Sequence, residues 1–192
     1  MSSSKRVSRE DIIHAAFEIV KEKGIDGVNA RDVAKRLNTS VQPIFYRFNN
    51  MEDLKIELLN YSLDYYREFI LNIKGEGPEY KEIGINYIRF ASGEPNLFKF
   101  IFMGNYHIKV EDFAFFDKSY VEVEKVACDY DEISDDVVKR FHLKMWMFTH
   151  GIASLIATGT CEFSDEEISS LLTEEFEALM KDIIYKKEGD NC

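Results

Sequence analysis

Apolar residues recur along this chain at three- and four-residue spacings instead of alternating, which marks helical faces rather than strands. Ile12, Ile13, Ala16, Phe17 and Val20 form a first stripe, with Glu18, Lys21, Glu22 and Lys23 set away from it. Ser8-Arg9-Glu10-Asp11 stands before the stripe as a capping box, and Gly24 stands after it as a left-handed C-cap. After the turn Gly24-Ile25-Asp26-Gly27-Val28, Asn29 is placed to cap a short helix. Its Val33, Ala34 and Leu37 face inward and its Arg31, Lys35 and Arg36 face out. Two more starts follow quickly. Thr39 or Ser40 caps a segment from Val41 to Phe48, which tolerates Pro43 in its first turn. Asn50 then caps a longer helix with Met51, Leu54, Leu58 and Leu59 on its apolar side. Tyr61, Tyr65, Phe69 and Ile73 carry it on at four-residue intervals to the break Lys74-Gly75-Glu76-Gly77-Pro78.

Further helices are predicted over 79–92, 96–103, 111–128, 134–159 and 165–187, the last opened by a second capping box at Ser164-Asp165-Glu166-Glu167. Prolines occur only at 43, 78 and 95. The fold class is therefore all-α. A short helix, a tight turn and a second short helix held between longer ones make a helix-turn-helix. This three-helix module, residues 1–58, is joined to a larger helical bundle, residues 59–192, and no internal repeat or low-complexity tract interrupts either.

Composition narrows the class. In 192 residues, 45% hydrophobic and 31% charged side chains with 15 Phe and 10 Tyr provide a core and a soluble surface. Cys128, Cys161 and Cys192 are odd in number and contain no CxxC pair, which points to a reduced, cytoplasmic setting. The start MSSSKRVSRED has no signal-peptide core, and the least polar stretch, Met145 to Cys161, falls short of a bilayer span, so no membrane association is expected. The net charge of −11 looks wrong for a nucleic-acid binder. Its distribution does not: residues 1–50 carry nine basic and six acidic groups, a net of +3, while the other 142 carry −14. A basic reader on an acidic body fits this asymmetry, and so does ordinary solvated surface.

The segments REDIIHAAFEIVKEKG, NARDVAKRLN, TSVQPIFYRF and NNMEDL, in this order and spacing, resemble the N-terminal domain of the TetR family of bacterial repressors over roughly residues 8–58. The resemblance implies a dimer that binds operator DNA, with Thr39, Ser40, Val41 and Gln42 leading a recognition helix into the major groove. Gln42 is the base-reading candidate, since an amide pairs bidentately with adenine, although a solvated surface amide is the plainer alternative. Tyr46, Arg47, Lys55, Arg31 and Lys35 would hold phosphates, and Lys5 and Arg6 form an arm toward phosphate or the minor groove. Two positions depart from the family pattern. Phe45 stands where a phosphate-contacting Tyr is usual and Met51 where a Lys is usual. Neither side chain hydrogen-bonds a phosphate, so a shallower salt dependence is expected.

Aromatics are dense between 96 and 120. Phe98, Phe102, Phe113 and Phe116, with Phe69, Tyr87, Trp146 and His150, are the candidates to line a cavity for an apolar or aromatic small-molecule effector, as the resemblance implies. Solid core is the competing reading. Trp146 followed by His150-Gly151 resembles the effector-domain signature of one TetR branch. His150 reads either as a ligand- or pH-sensitive group or as a buried structural histidine. The small residues Gly151, Ala153, Ser154, Ala157 and Gly159, with an apolar stripe from Ile168 to Ile183, imply by the same resemblance a four-helix homodimer interface. His142 and His150 lie too far apart for an i,i+4 metal pair and no nucleophile grouping occurs, so no metal, no cofactor and no enzymatic activity are expected. The leading expectation is a repressor released from its operator by the effector. The alternative is a helical small-molecule-binding protein whose DNA binding is weakened or lost.

Overall fold

The computed structural model describes residues 7–73, 78–104 and 134–189. Every regular element among them is helical: α1 (Arg9–Lys23), a 3₁₀ turn (Ile25–Gly27), α2 (Ala30–Arg36), α3 (Gln42–Phe45), α4 (Met51–Leu71), α5 (Glu79–Gly93), α6 (Pro95–Phe102), α7 (Asp135–Ala157) and α8 (Asp165–Gly189). The expected helix over 111–128 lies outside the described residues. The chain forms two compact units, one running up to Glu68 and resuming at Glu94, the other containing Phe69–Gly93 and α7 and α8.

In the first unit the local starts form as expected. Ser8 Oγ accepts from the Asp11 amide at 3.0 Å and Asp11 Oδ2 accepts from the Ser8 amide at 2.9 Å, completing the capping box. Asn29 Oδ1 caps α2 through the Arg31 and Asp32 amides at 3.1 and 3.0 Å, and Asn50 Oδ1 caps α4 through Asp53 at 2.9 Å. Gly24 has φ 76° and ψ 177°. That is the extended positive-φ region reserved for glycine rather than the left-handed helical cap the sequence suggests. A left-handed residue does end α2: Asn38, at φ 51°. The Thr39 amide donates to Ala34 O at 2.9 Å and the Asn38 amide to Lys35 O at 3.1 Å, the paired bonds of a Schellman motif.

The third segment is shorter than expected. Regular helix covers only Gln42–Phe45, and no side chain caps its N-terminus: Val41, not Thr39 or Ser40, occupies that position. Val41 has no oxygen to offer, and Pro43 contributes no amide. Hydrogen bonds from Tyr46 to Gln42 O (3.0 Å) and from Phe48 to Ile44 O (2.9 Å) continue the turn.

Ile12, Ala16, Val20, Val33, Ile44, Phe48, Leu54 and Leu58 make the core of the unit. On α4 the deeply buried row is Leu54, Leu58, Ser62 and Tyr66, one position away from the recurring Tyr61 and Tyr65, whose rings instead meet Phe17 edge-on at 5.0 and 5.1 Å. Ser62 satisfies its hydroxyl on Leu58 O at 2.8 Å. Residue 58, the expected end of the module, lies inside α4. The later helix α6 also packs here, against α1. Asn96 Nδ2 donates to Lys21 O at 2.9 Å, and Glu94 accepts from Lys21 Nζ at 2.8 Å and from Tyr65 OH at 3.2 Å, which fastens the last turn of α1.

In the second unit α5 packs chiefly on α7, with α8 against both. Leu172 of α8 closes on Gly84, where an added Cβ would stand 3.4 Å from its methyl. Buried Asn86 donates to Ile70 O at 3.1 Å, satisfying the free carbonyl end of α4. Ser164 and Glu167 form the second capping box at 3.2 and 2.8 Å. The small residues of α7 divide: Ala153 and Ala157 are buried, Gly151 is exposed, and Gly159 (φ 71°) ends the helix through bonds from its own amide to Ile156 O and from Thr160 to Leu155 O.

Candidate functional site

The turn between α2 and α3 leaves a polar and aromatic surface uncovered. Ser40, Gln42 and Arg47 are exposed and Thr39 is half-buried, while Val41, Phe45 and Tyr46 are 36%, 49% and 80% exposed. Their neighbours Ile44 and Phe48 are buried and anchor the turn. Phe45 is therefore not packed away in the core, although Met51 is half-buried.

Charge around the turn is positive and available. Arg31, Lys35 and Arg47 are exposed and carry no ion pair among the described residues. Lys55 differs, since its Nζ donates to Glu52 at 2.8 Å. Arg36 pairs with Glu22. Lys5 and Arg6 lie outside the described residues.

One residue at this site escaped the sequence reading. Arg9 Nε donates to Glu57 Oε2 at 2.8 Å, Nη2 to Glu57 Oε1 and Nη1 to the Arg47 carbonyl, and the guanidinium lies 4.1 Å above the Phe48 ring. Hydrogen bonding from Arg9 holds the Glu57 carboxyl below the usual carboxylate range. A faint signal existed. Arg9 opens a helix, where the dipole disfavours a cation, so a tertiary partner was called for.

Residues 12–58 match the family model described as bacterial regulatory proteins, tetR family. Residues 12–58 thus form an N-terminal domain of the TetR type. The class D tetracycline repressor of Escherichia coli is 33% identical over 64 residues, which span 31% of this chain and 29% of that repressor. The likeness of whole folds is wider. A Rhodococcus sp. RHA1 protein of unknown function covers 95% of this chain and 98% of its own at TM-score 0.71 and 18% identity. A transcriptional regulator from Rhodococcus sp. Rha1 covers 92% and 97% at TM-score 0.61 and 15% identity. The likeness of fold thus extends past the matched domain.

The described aromatic residues expected around an effector are divided between the two units. Phe98 and Phe102 belong to the first unit, where their rings lie 5.0 Å apart and Phe102 meets Tyr66 edge-on at 5.0 Å. Phe69, Tyr87, Trp146 and His150 belong to the second, and Phe113 and Phe116 lie outside the described residues. Within the second unit Tyr87 OH and His150 Nδ1 are 2.8 Å apart, and Trp146 stacks on the imidazole at 4.9 Å. Two turns away Tyr80 OH meets His142 Nδ1 at 3.2 Å. Burial pushes the His150 pKa down, so the neutral imidazole prevails and one ring nitrogen acts as donor and the other as acceptor. Phe69 meets Phe90 edge-on at 5.3 Å. Among the described residues, no three His, Cys, Asp or Glu side chains gather as a metal site, and no helix is long and apolar enough to cross a membrane.

Proposed function

We propose that this protein is a dimeric DNA-binding transcriptional regulator, a repressor that leaves its operator when a small molecule binds in the second unit. The observation that carries the reading is the uncovered Ser40-Val41-Gln42 edge at the start of α3, flanked by Arg31, Lys35 and Arg47 without ion pairs among the described residues. Thr39 to Gln42 enter the major groove, with the Gln42 amide on an adenine and the Val41 methyls against a thymine methyl. Tyr46 and Arg47, with Arg31, Lys35, Lys55, Lys5 and Arg6, hold phosphates and set the register without reading sequence. The tetracycline repressor's name supports the direction of control for a relative that shares this domain.

Dimerisation is proposed through α7 and α8, where Met147, Gly151 and Leu155 leave an apolar, sterically open strip on α7. The effector is proposed to be an apolar or aromatic molecule that engages Tyr87, Trp146 and His150. The deciding experiment is a mobility shift with the purified protein on DNA from its own genomic neighbourhood. Selective binding that weakens as salt rises is expected. Equal affinity for unrelated DNA would refute the regulator and favour a ligand-binding protein without an operator.

A further inference from the structure

The α3 helix is one turn long and has no side-chain cap, so its own hydrogen bonds do not hold it at a fixed tilt. Arg9 joins the peptide just beyond it, Arg47-Phe48, to Glu57 of α4 across 48 residues of sequence. The Arg47 carbonyl and the Phe48 ring are thereby gripped on two sides of one planar guanidinium. We infer that Arg9 is a positioning residue for the DNA-reading turn, with the Arg9–Glu57 fork setting the angle at which Val41 and Gln42 are presented. The inference rests on the DNA-reading function proposed above.

The fork requires arginine. A lysine ammonium keeps the charge but cannot bind both carboxylate oxygens and a carbonyl through one planar fork while lying over an aromatic ring. The two partners also make opposite electrostatic predictions. Glu57→Gln removes a negative charge from a DNA-facing domain, so charge alone would tighten binding to any DNA. Loss of positioning instead weakens the operator complex and leaves unrelated DNA unaffected.

The test compares Arg9→Lys, Glu57→Gln and the double variant in the full chain, using the operator fragment and an unrelated duplex of equal length. Each single variant should bind the operator about tenfold more weakly, the loss of one base contact, with no weakening on unrelated DNA. The double variant should be no worse than either single. In the free protein, exchange of the Ile44 to Phe48 amides should quicken about tenfold through local opening, while α5 and α7 stay unchanged.

Tighter operator binding by Glu57→Gln, or unaltered exchange over 44–48, would overturn the inference. Equal loss on both DNAs by Arg9→Lys would make Arg9 a plain phosphate contact and overturn it also. Should Arg9→Lys fail to fold, Glu57→Gln carries the same readouts. The exchange measurement needs no DNA, so a protein that binds no operator would sink the regulator while this clamp is still judged.

Discussion

Single residues carry the sharpest tests. Gln42→Ala should reduce discrimination at one base position by roughly 1–3 kcal/mol, leaving the melting temperature unchanged because the side chain is exposed. A binding titration against single-base operator variants reads this, and unaltered discrimination removes Gln42 as a base reader. Gly24 was legible as punctuation, but its use is different from a left-handed cap. At φ 76° and ψ 177° Gly24→Ala should cost about 1–3 kcal/mol of backbone strain, measurable by urea unfolding, even though an added Cβ would have space. His150 links residue chemistry to pH. Its pKa is lowered from 6.5 by burial, so the unfolded chain binds that proton more tightly than the folded one. The neutral imidazole therefore contributes stability in full above about pH 6.5, and the contribution is lost as pH falls through the depressed folded value. Melting temperatures taken downward from pH 7 should fall more steeply in the native chain than in His150→Gln; parallel profiles would show that His150 contributes nothing.

At the scale of elements, helix starts were readable because a cap is a conversation among residues three positions apart. Ser8, Asn29, Asn50 and Ser164 all bond where the local pattern places them. Asn29→Ala should cost about 1 kcal/mol and lower the melting temperature by a few degrees, since two α2 amides lose their acceptor. The recognition segment was less legible. Its extent depends on Pro43, on the uncapped Val41 and on the Asn38 turn, and the hydroxyls of Thr39 and Ser40 suggested a cap that does not form. Which side of α4 is buried was also ambiguous, because two adjacent rows both recur every four residues. The structure buries Leu54, Leu58, Ser62 and Tyr66. Leu58→Ala should destabilise the first unit by about 2–5 kcal/mol; a change below about 1 kcal/mol would mean that the row is not core.

For the whole molecule, a net charge of −11 conceals a net of +3 over residues 1–50. If Arg31, Lys35 and Arg47 of two subunits each neutralise a phosphate, log K should fall against log salt with a slope of about −5. A slope near zero on a specific operator would leave these three residues without a role. Helix order, the turn motif, the capping residues and the family resemblance were all present in the one-dimensional pattern, because each is decided within a few positions along the chain or by spacing. The long-range pairings were not. Arg9 with Glu57, Lys21 with Glu94, and Tyr87 with His150 join residues 48, 73 and 63 positions apart. Each is compatible with many partners until packing selects one. The same applies to α6, which follows α5 in sequence but takes its place beside α1, so that Phe98 and Phe102 belong to the first unit. Periodicity names the face that must be buried, but it does not name what buries it, since apolar surface is attracted to any complementary apolar surface and only the folded chain chooses among them.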